Sequence, residues 1–313
     1  MKSSVQLKTY AKINMSLDVT GVREDGYHEM MSVMQAVDLC DELDLTVSPA
    51  PEDTIVLKTD HPEIPDDRRN TAYRAAEKML EIRSRILRER GETESGIKAE
   101  ITIRKKIPVA AGLAGGSSDA AGVMLGLNSL LELGLKLDKL REAGTQIGAD
   151  VPFCIMAAAG QQPFLGVKGG AACALAEGIG EILTPLRSIV FWTVLAKPPA
   201  AVSTAEVYRL YDTITVRRHP DTSNLMEGMT SGNMQKIKAS MANVLENVTF
   251  RLCPQSEELK RRMEQKGCLA AMMSGSGPTV YALCASRQKA EALAASLHDL
   301  EDAGYRVILT KTL

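Results

Sequence analysis

Hydrophobic and polar residues change their spacing several times along the chain, and each change marks an element. Apolar runs at 5–7 and 13–19, with a polar turn at 23–26, predict strands and turns in the first fifty residues. Pro49, Pro51, Pro62 and Pro65 mark a loop-rich crossing. Over 70–90 the spacing becomes helical. Ala72, Ala75, Ala76, Met79, Ile82, Ile86 and Leu87 share one broad face, and Gly91 stands where a helix stops. Ile97, Ala99, Ile101 and Ile103 then alternate with Lys98, Glu100, Thr102 and Arg104, which predicts a half-buried, antiparallel strand. After a glycine-rich stretch, Ala120, Val123, Met124, Leu127, Leu130 and Leu131 return to helical spacing.

The second half has a different rhythm. A buried-type strand is expected over 189–196, ended by Lys197-Pro198-Pro199. Helices are expected over 203–211, 233–242, 256–266 and 288–300, and strands over 270–273, 279–284 and 306–309. Hydrophobic runs this short, on strands that look half-exposed, predict an α+β architecture rather than a doubly wound sheet. A domain change is placed at 155–170, giving domains over 1–160 and 161–313.

Composition narrows the function. With 313 residues the chain is long enough for two domains. A net charge of −2, with 24% charged residues, gives no basic excess for a nucleic-acid partner. The first residues lack the apolar run of a signal peptide, and no stretch reaches the ~20 apolar residues of a membrane span, so a cytoplasmic protein is expected. Six cysteines without a CxxC pair fit reduced, buried thiols, and four dispersed histidines give no zinc site.

The chemistry concentrates in 105–125, KKIPVAAGLAGGSSDAAGVML. Gly112, Gly115 and Gly116 let backbone N–H groups turn toward an anion. The helix that follows adds its first-turn N–H groups and positive dipole end, and Ser117 and Ser118 add hydroxyls. The plain alternative is a turn in which Ser118 or Asp119 caps the helix. Three further clusters stand out. Lys12 and Asn14 share one face of a strand, where a lysine either meets an anionic partner or snorkels to water from an edge. Beyond Asp25-Gly26, Tyr27 and His28 leave a turn as an aromatic pair suited to a flat heterocycle, or simply pack on the surface. Asp150 in GADVPF is a turn former or a buried base, and Ser274–Val280 (SGSGPTV) is a tight hairpin or a backbone clamp.

In their joint order these segments resemble the GHMP small-molecule kinase superfamily: AKIN, GVREDGYHE, IPVAAGLAGGSSDAA, GADVPF and MSGSGPTV. The resemblance runs through nearly the whole chain, including Glu177–Glu181 and Lys197-Pro198. DGYHE points to the branch that phosphorylates the 2-hydroxyl of a cytidine-diphosphate-linked methylerythritol, a step toward isoprenoid precursors. It implies a two-domain α+β fold, with an N-terminal domain like a ribosomal protein of the small subunit and a ferredoxin-like C-terminal domain. It implies ATP and Mg2+, and Asp150 as general base with Lys12 as its cationic neighbour. For ATP it implies Pro108, Ala110, Ala111, Gly112, Leu113, Ala114, Gly115, Gly116, Ser117 and Ser118, with Lys106 beside them. Asn70 would lie near the adenine, or serve only as a helix cap. Tyr27 and Tyr208 would sandwich the cytosine and His28 would bond its edge, while Asn14, Ser276 and Thr279 would surround the rest of the acceptor. No carboxylate is obviously dedicated to the metal; Ser117 with the ATP phosphates is the candidate. The partner is a small molecule bearing a cytidine diphosphate group, on a monomer or weak homodimer with no nucleic acid or membrane.

One stretch departs from the pattern. Residues 157–168 (AAAGQQPFLGVK) stand as an insertion before Gly169-Gly170, and their small residues predict a surface loop or hairpin that can be shortened without loss of fold. Other functions fit less well. A nicotinamide enzyme needs GxGxxG spacing, which is missing here. A nucleotide sensor has no use for Lys12 and Asp150, and other GHMP kinases do not need Tyr27, His28 and Tyr208.

Overall fold

The computed structural model describes residues 3–93, 95–216 and 218–313. The chain forms two compact units, and neither is a continuous stretch of sequence. The first gathers Met1–Ala11, Cys40–Ile107 and Ala114–Ala172; the second gathers Lys12–Leu39, Pro108–Leu113 and Cys173–Leu313. The chain opens on two strands far longer than the apolar runs suggest, β1 (Ser4–Val22) and β2 (His28–Pro49). Between residues 11 and 17 every side chain of β1 is buried, Lys12, Asn14 and Ser16 included, so polar residues inside the protein hid one strand as two. Buried Asp41 interrupts β2 in the same way.

In the first unit, the later part of β2 pairs antiparallel with β4 (Ile97–Arg104), matching Leu43 to Ile103 and Val47 to Ala99. β4 is also parallel to β3 (Thr54–Thr59), a strand within the crossing expected to be loop-rich. The helix α1 (Thr71–Arg90) forms as its periodicity predicts. Asn70 caps it by accepting from Ala72 N at 2.9 Å, and Gly91 ends it in the left-handed region at φ 67°. Then come α2 (Gly115–Leu130), α3 (Leu137–Thr145), which the sequence did not signal, and α4 (Val151–Gln161). Leu43, Leu45, Ile101 and Ile103 from the sheet share one core with Met79, Val123, Leu127 and Ile155 from the helices. α2 lies close on the strands because of its glycines. A Cβ added at Gly122 would fall 2.4 Å from Thr9 Cγ2, and one at Gly126 would fall 2.2 Å from Leu45 Cδ1.

The segment 157–168 is not a surface loop. Its first residues complete α4, and Ala157, Ala158, Ala159, Leu165 and Val167 are all buried. Buried Gln162 bonds Lys8 twice, accepting from its N–H and donating to its C=O, each at 2.9 Å. Small residues suit loops, but here they allow close helix packing.

In the second unit, the early part of β2 pairs antiparallel with β5 (Cys173–Gly178), which pairs with β6 (Ile182–Pro185). A second sheet runs β10-β7-β9-β8, antiparallel throughout: Arg306–Lys311, Trp192–Lys197, Val280–Cys284 and Ala270–Met273. Around it lie α5 (Thr204–Tyr211), α6 (Thr222–Ser231), α7 (Met234–Ser240), α8 (Glu246–Leu252), α9 (Pro254–Gln265) and α10 (Arg287–Ala295). The sequence missed β5, β6, α6 and α8, and the last expected helix breaks into α10 and a 3-10 turn, His298–Ala303. The α+β expectation holds. No helix among the described residues is long and apolar enough to cross a membrane.

Candidate active site

The glycine-rich segment turns three times in the left-handed region, at Ala110 (φ 49°), Gly112 (72°) and Ala114 (58°). α2 begins at once, with Ala114 as its N-cap and no side chain capping it. Ser118 and Asp119 therefore do not cap the helix; both are buried inside it. An uncapped helix start with an exposed Gly116 leaves its first-turn N–H groups and positive end for an anion. That donor set fits nucleotide phosphates. A Cβ on Gly148, in the GADVPF turn, would lie 4.0 Å from Ser117 Oγ. Half-buried Asp150 occupies the N-cap position of α4 without a side-chain cap bond.

In the second unit the two glycine loops of the sequence meet. Ser274 Oγ donates to Gly112 O at 2.9 Å, and a Cβ on Gly112 would sit 2.2 Å from Ser274 O, so only glycine fits there. Lys12 N donates to Leu113 O at 3.1 Å. Lys12 is 4% exposed, which overturns an edge lysine reaching water, and its Nζ donates to Asn14 Oδ1 at 2.7 Å. Asn14 Nδ2 in turn donates to Ser32 Oγ at 2.8 Å. A Cβ on Gly275 would come within 3.3 Å of Lys12 Nζ and 3.1 Å of Gly112 O, so Lys12, Asn14, Gly112 and Gly275 converge. Asn243 holds the second loop from below, donating to Met273 O and Gly275 O at 2.9 and 2.8 Å. Ser276 Oγ lies 2.8 Å from Thr204 Oγ1. Thr279 Oγ1 is buried and has no hydrogen-bond partner, an orphan polar atom beside the loop.

The aromatic cluster also assembles in this unit. The His28 and Tyr208 rings lie 4.9 Å apart at 35°, and Tyr211 meets His28 edge-on at 6.4 Å. His28 Nε2 is 2.7 Å from Asp212 Oδ1. Tyr27, just before it, is 62% exposed. Elsewhere, both ends of the Asn70 amide are engaged, the Oδ1 in the cap and the Nδ2 on Pro65 O at 2.8 Å. Lys106 pairs with Glu42, and Ser118 Oγ donates to Tyr10 O at 2.5 Å. Sequence reasoning missed Asp212, Asn243, Ser274 as a link between loops, and Ser32. Only Ser274 carried a signal, its place inside a glycine loop. Among the described residues, no group of three or more His, Cys, Asp or Glu is gathered to hold a metal.

Comparison with known proteins places the chain in a family. The family model for the GHMP kinases N terminal domain matches residues 70–158, and that for GHMP kinases C terminal matches 223–301. The fold and these family matches define a small-molecule kinase of the GHMP class. A protein of Alkaliphilus oremlandii named 4-diphosphocytidyl-2-C-methyl-D-erythritol kinase is 44% identical over 289 residues, 92% of this chain and 90% of the relative. A Bacillus pumilus protein of the same name is 43% identical over 302 residues, 96% and 95% of the two chains. The chain belongs to the family of 4-diphosphocytidyl-2-C-methyl-D-erythritol kinases. A solved structure described as 4-(cytidine 5'-diphospho)-2C-methyl-D-erythritol kinase superposes with a TM-score of 0.72 at 31% identity, covering 98% of this chain and 99% of the other. A homoserine kinase structure from Cytophaga hutchinsonii shares the fold at 21% identity, with the same TM-score of 0.72.

Proposed function

We propose that this kinase transfers the γ-phosphoryl group of ATP to the 2-hydroxyl of 4-diphosphocytidyl-2-C-methyl-D-erythritol, a step toward isoprenoid precursors. The observation that carries the acceptor is the His28–Tyr208 ring pair, in a chain whose relatives bear that name. A pyrimidine stacks on such rings for about 1–3 kcal/mol per base. Tyr27 supplies a second aromatic face, and the Nε2 contact with Asp212 orients the imidazole so that its other nitrogen meets the cytosine edge. Asn14, Ser276 and Thr279 serve the remaining hydroxyls and phosphates, which would give the orphan Thr279 hydroxyl its partner.

The donor binds at the segment from Pro108 to Ser118, with the first-turn N–H groups of α2 on its phosphate oxygens. Asp150 takes the proton of the attacking hydroxyl as the new O–P bond forms and the bond to the β-phosphate oxygen breaks, releasing ADP. Lys12 supplies positive charge to the transferring phosphoryl group; its burial in low dielectric strengthens that effect. Mg2+ neutralises phosphate charge in such reactions. With no group of three or more metal-ligating side chains gathered among the described residues, Ser117 and the nucleotide phosphates would be the ligands that hold it.

The test is ATP consumption across a panel of alcohols. Turnover is expected only with the acceptor that carries cytidine diphosphate. Equal turnover of mevalonate or homoserine would overturn the acceptor and leave a GHMP kinase of another branch.

A further inference from the structure

The first unit contains a buried charge group with no part in the transfer outlined above. Lys105 Nζ lies 2.5 Å from Asp41 Oδ2 and 2.6 Å from Asp119 Oδ2, and the three side chains are 4%, 0% and 5% exposed. The other oxygen of Asp41 accepts from Lys106 N and Ile107 N at 2.5 and 2.8 Å. The other oxygen of Asp119 accepts from Thr9 Oγ1 at 3.0 Å. Burying such charges seldom stabilises a fold more than well-packed apolar residues do, so the group calls for a reason other than stability.

Its position supplies one. Asp119 stands four residues beyond Gly115, at the start of α2, and a Cβ on Gly115 would lie 3.5 Å from Lys105 Nζ. Two further bonds hold the same turn: Ser118 Oγ to Tyr10 O at 2.5 Å, and Thr71 Oγ1 to Gly116 O at 2.8 Å. Through Lys105, Asp41 and Thr9 the turn is anchored to the residue that follows β4, to β2 and to β1.

We propose that Asp119, acting through Lys105 and Thr9, is a positioning residue that holds the first turn of α2 in its phosphate-binding geometry. This rests on the reading that the turn binds the nucleotide phosphates. The protonation of the group gives it a signature. Burial pushes the Asp119 carboxyl up; Lys105 pulls it back and Asp41 pushes it further, to about 7. Lys105 is itself pulled down by burial, yet Asp119 and Asp41 outweigh this and hold it above the ordinary lysine value. Lys105, Asp41 and Thr9 are the groups that face Asp119. Below neutrality it is an uncharged acid on a slackened tether; above it, a carboxylate on a charge-assisted one.

The experiment is calorimetric ADP binding to the full chain at pH 6 and pH 8.5, comparing wild type and variant at each pH so that protonation of ADP itself cancels. Asp119→Asn mimics the protonated acid. It should bind within about twofold of wild type at pH 6 and about fivefold to tenfold more weakly at pH 8.5, the range for one charge-assisted hydrogen bond. Thr9→Val keeps the carboxylate but removes a donor that favours its ionised form. It should shift the midpoint of the wild-type profile upward, a result a purely structural role would not produce. A flat wild-type-to-Asn ratio, or tighter binding by Asp119→Asn at pH 8.5, overturns the positioning role. Gly116→Glu separates the two ideas, since it sets a negative side chain at the helix start. If ADP affinity survives Gly116→Glu, the phosphate turn itself is misplaced. If affinity is lost there while the Asp119→Asn ratio stays flat, only the positioning role fails.

Discussion

Lys12 sits among Ala11, Ile13 and Met15, where water does not reach, so its charge must be met by the protein or a ligand. Asp150 is the complementary case, half-buried at a helix start without a capping bond. If it is the proton acceptor, Asp150→Asn should leave substrate and ATP binding intact and lower kcat by roughly 10²–10⁴; wild-type turnover in steady-state kinetics would remove it from that role. His28→Ala should raise KM for the acceptor by about 5- to 150-fold, the loss of a buried hydrogen bond worth about 1–3 kcal/mol, with KM for ATP nearly unchanged. Asp212→Asn should act in the same direction and more weakly, and equal weakening of ATP binding would move the whole cluster to the donor side or to the fold. Asp119 makes a stability test as well. A carboxyl whose folded pKa is raised above its unfolded value binds more protons in the native state, so its contribution falls as pH rises from about 4 to about 7. Asp119→Asn has no such proton to lose. The difference in Tm between Asp119→Asn and wild type should therefore move in favour of the variant between pH 5 and pH 8 in thermal scans.

Elements were legible where a single period ran unbroken. α1 announced both ends, because Asn70 and Gly91 are residues whose side chain or backbone freedom makes a cap, and β4 declared itself by strict alternation. β1 and β2 did not, because Lys12, Asn14, Ser16 and Asp41 are polar residues inside the protein and break any pattern that sorts positions by water. The proposed site and its support draw on those same residues, so the gaps in the pattern fall where a functional position would be sought. The segment 157–168 failed for the opposite reason, since alanine and glycine serve loops and tight helix contacts alike. α2 shows the second use. Gly126→Ala gains about 1 kcal/mol of helix propensity, yet its Cβ meets the buried Leu45 side chain, and overpacking typically costs about 1–3 kcal/mol. The variant should melt below wild type by calorimetry; a higher Tm would show that Leu45 yields freely. The two glycine loops were each visible in the sequence. Their union through Ser274 and Gly112 was not, because 162 positions separate the partners.

At the scale of the molecule, the second unit is completed by the last residues of the chain. β10 pairs along β7, Thr312 N donates to Phe191 O, and Leu313 N donates to Ala36 O. Gln35 Nε2 and Ser188 Oγ both donate to Leu313 O. Removal of residues 306–313 should abolish cooperative unfolding of this unit and all kinase turnover, whereas a truncated chain with a wild-type melting curve would make β10 dispensable. A ribosome delivers this chain from its amino end. Everything the first unit needs has left the exit tunnel once Ala172 is clear, but Lys12–Leu39, translated early, must wait for β5 and β6 to finish its sheet and for Ser274–Val280 before the two glycine loops meet. Of the residues proposed for catalysis and acceptor binding, Lys12, Asn14, Tyr27 and His28 lie in that waiting segment. Those side chains are therefore made long before the loop that meets Lys12, and chaperones that guard nascent chains would have a segment to hold until that loop emerges.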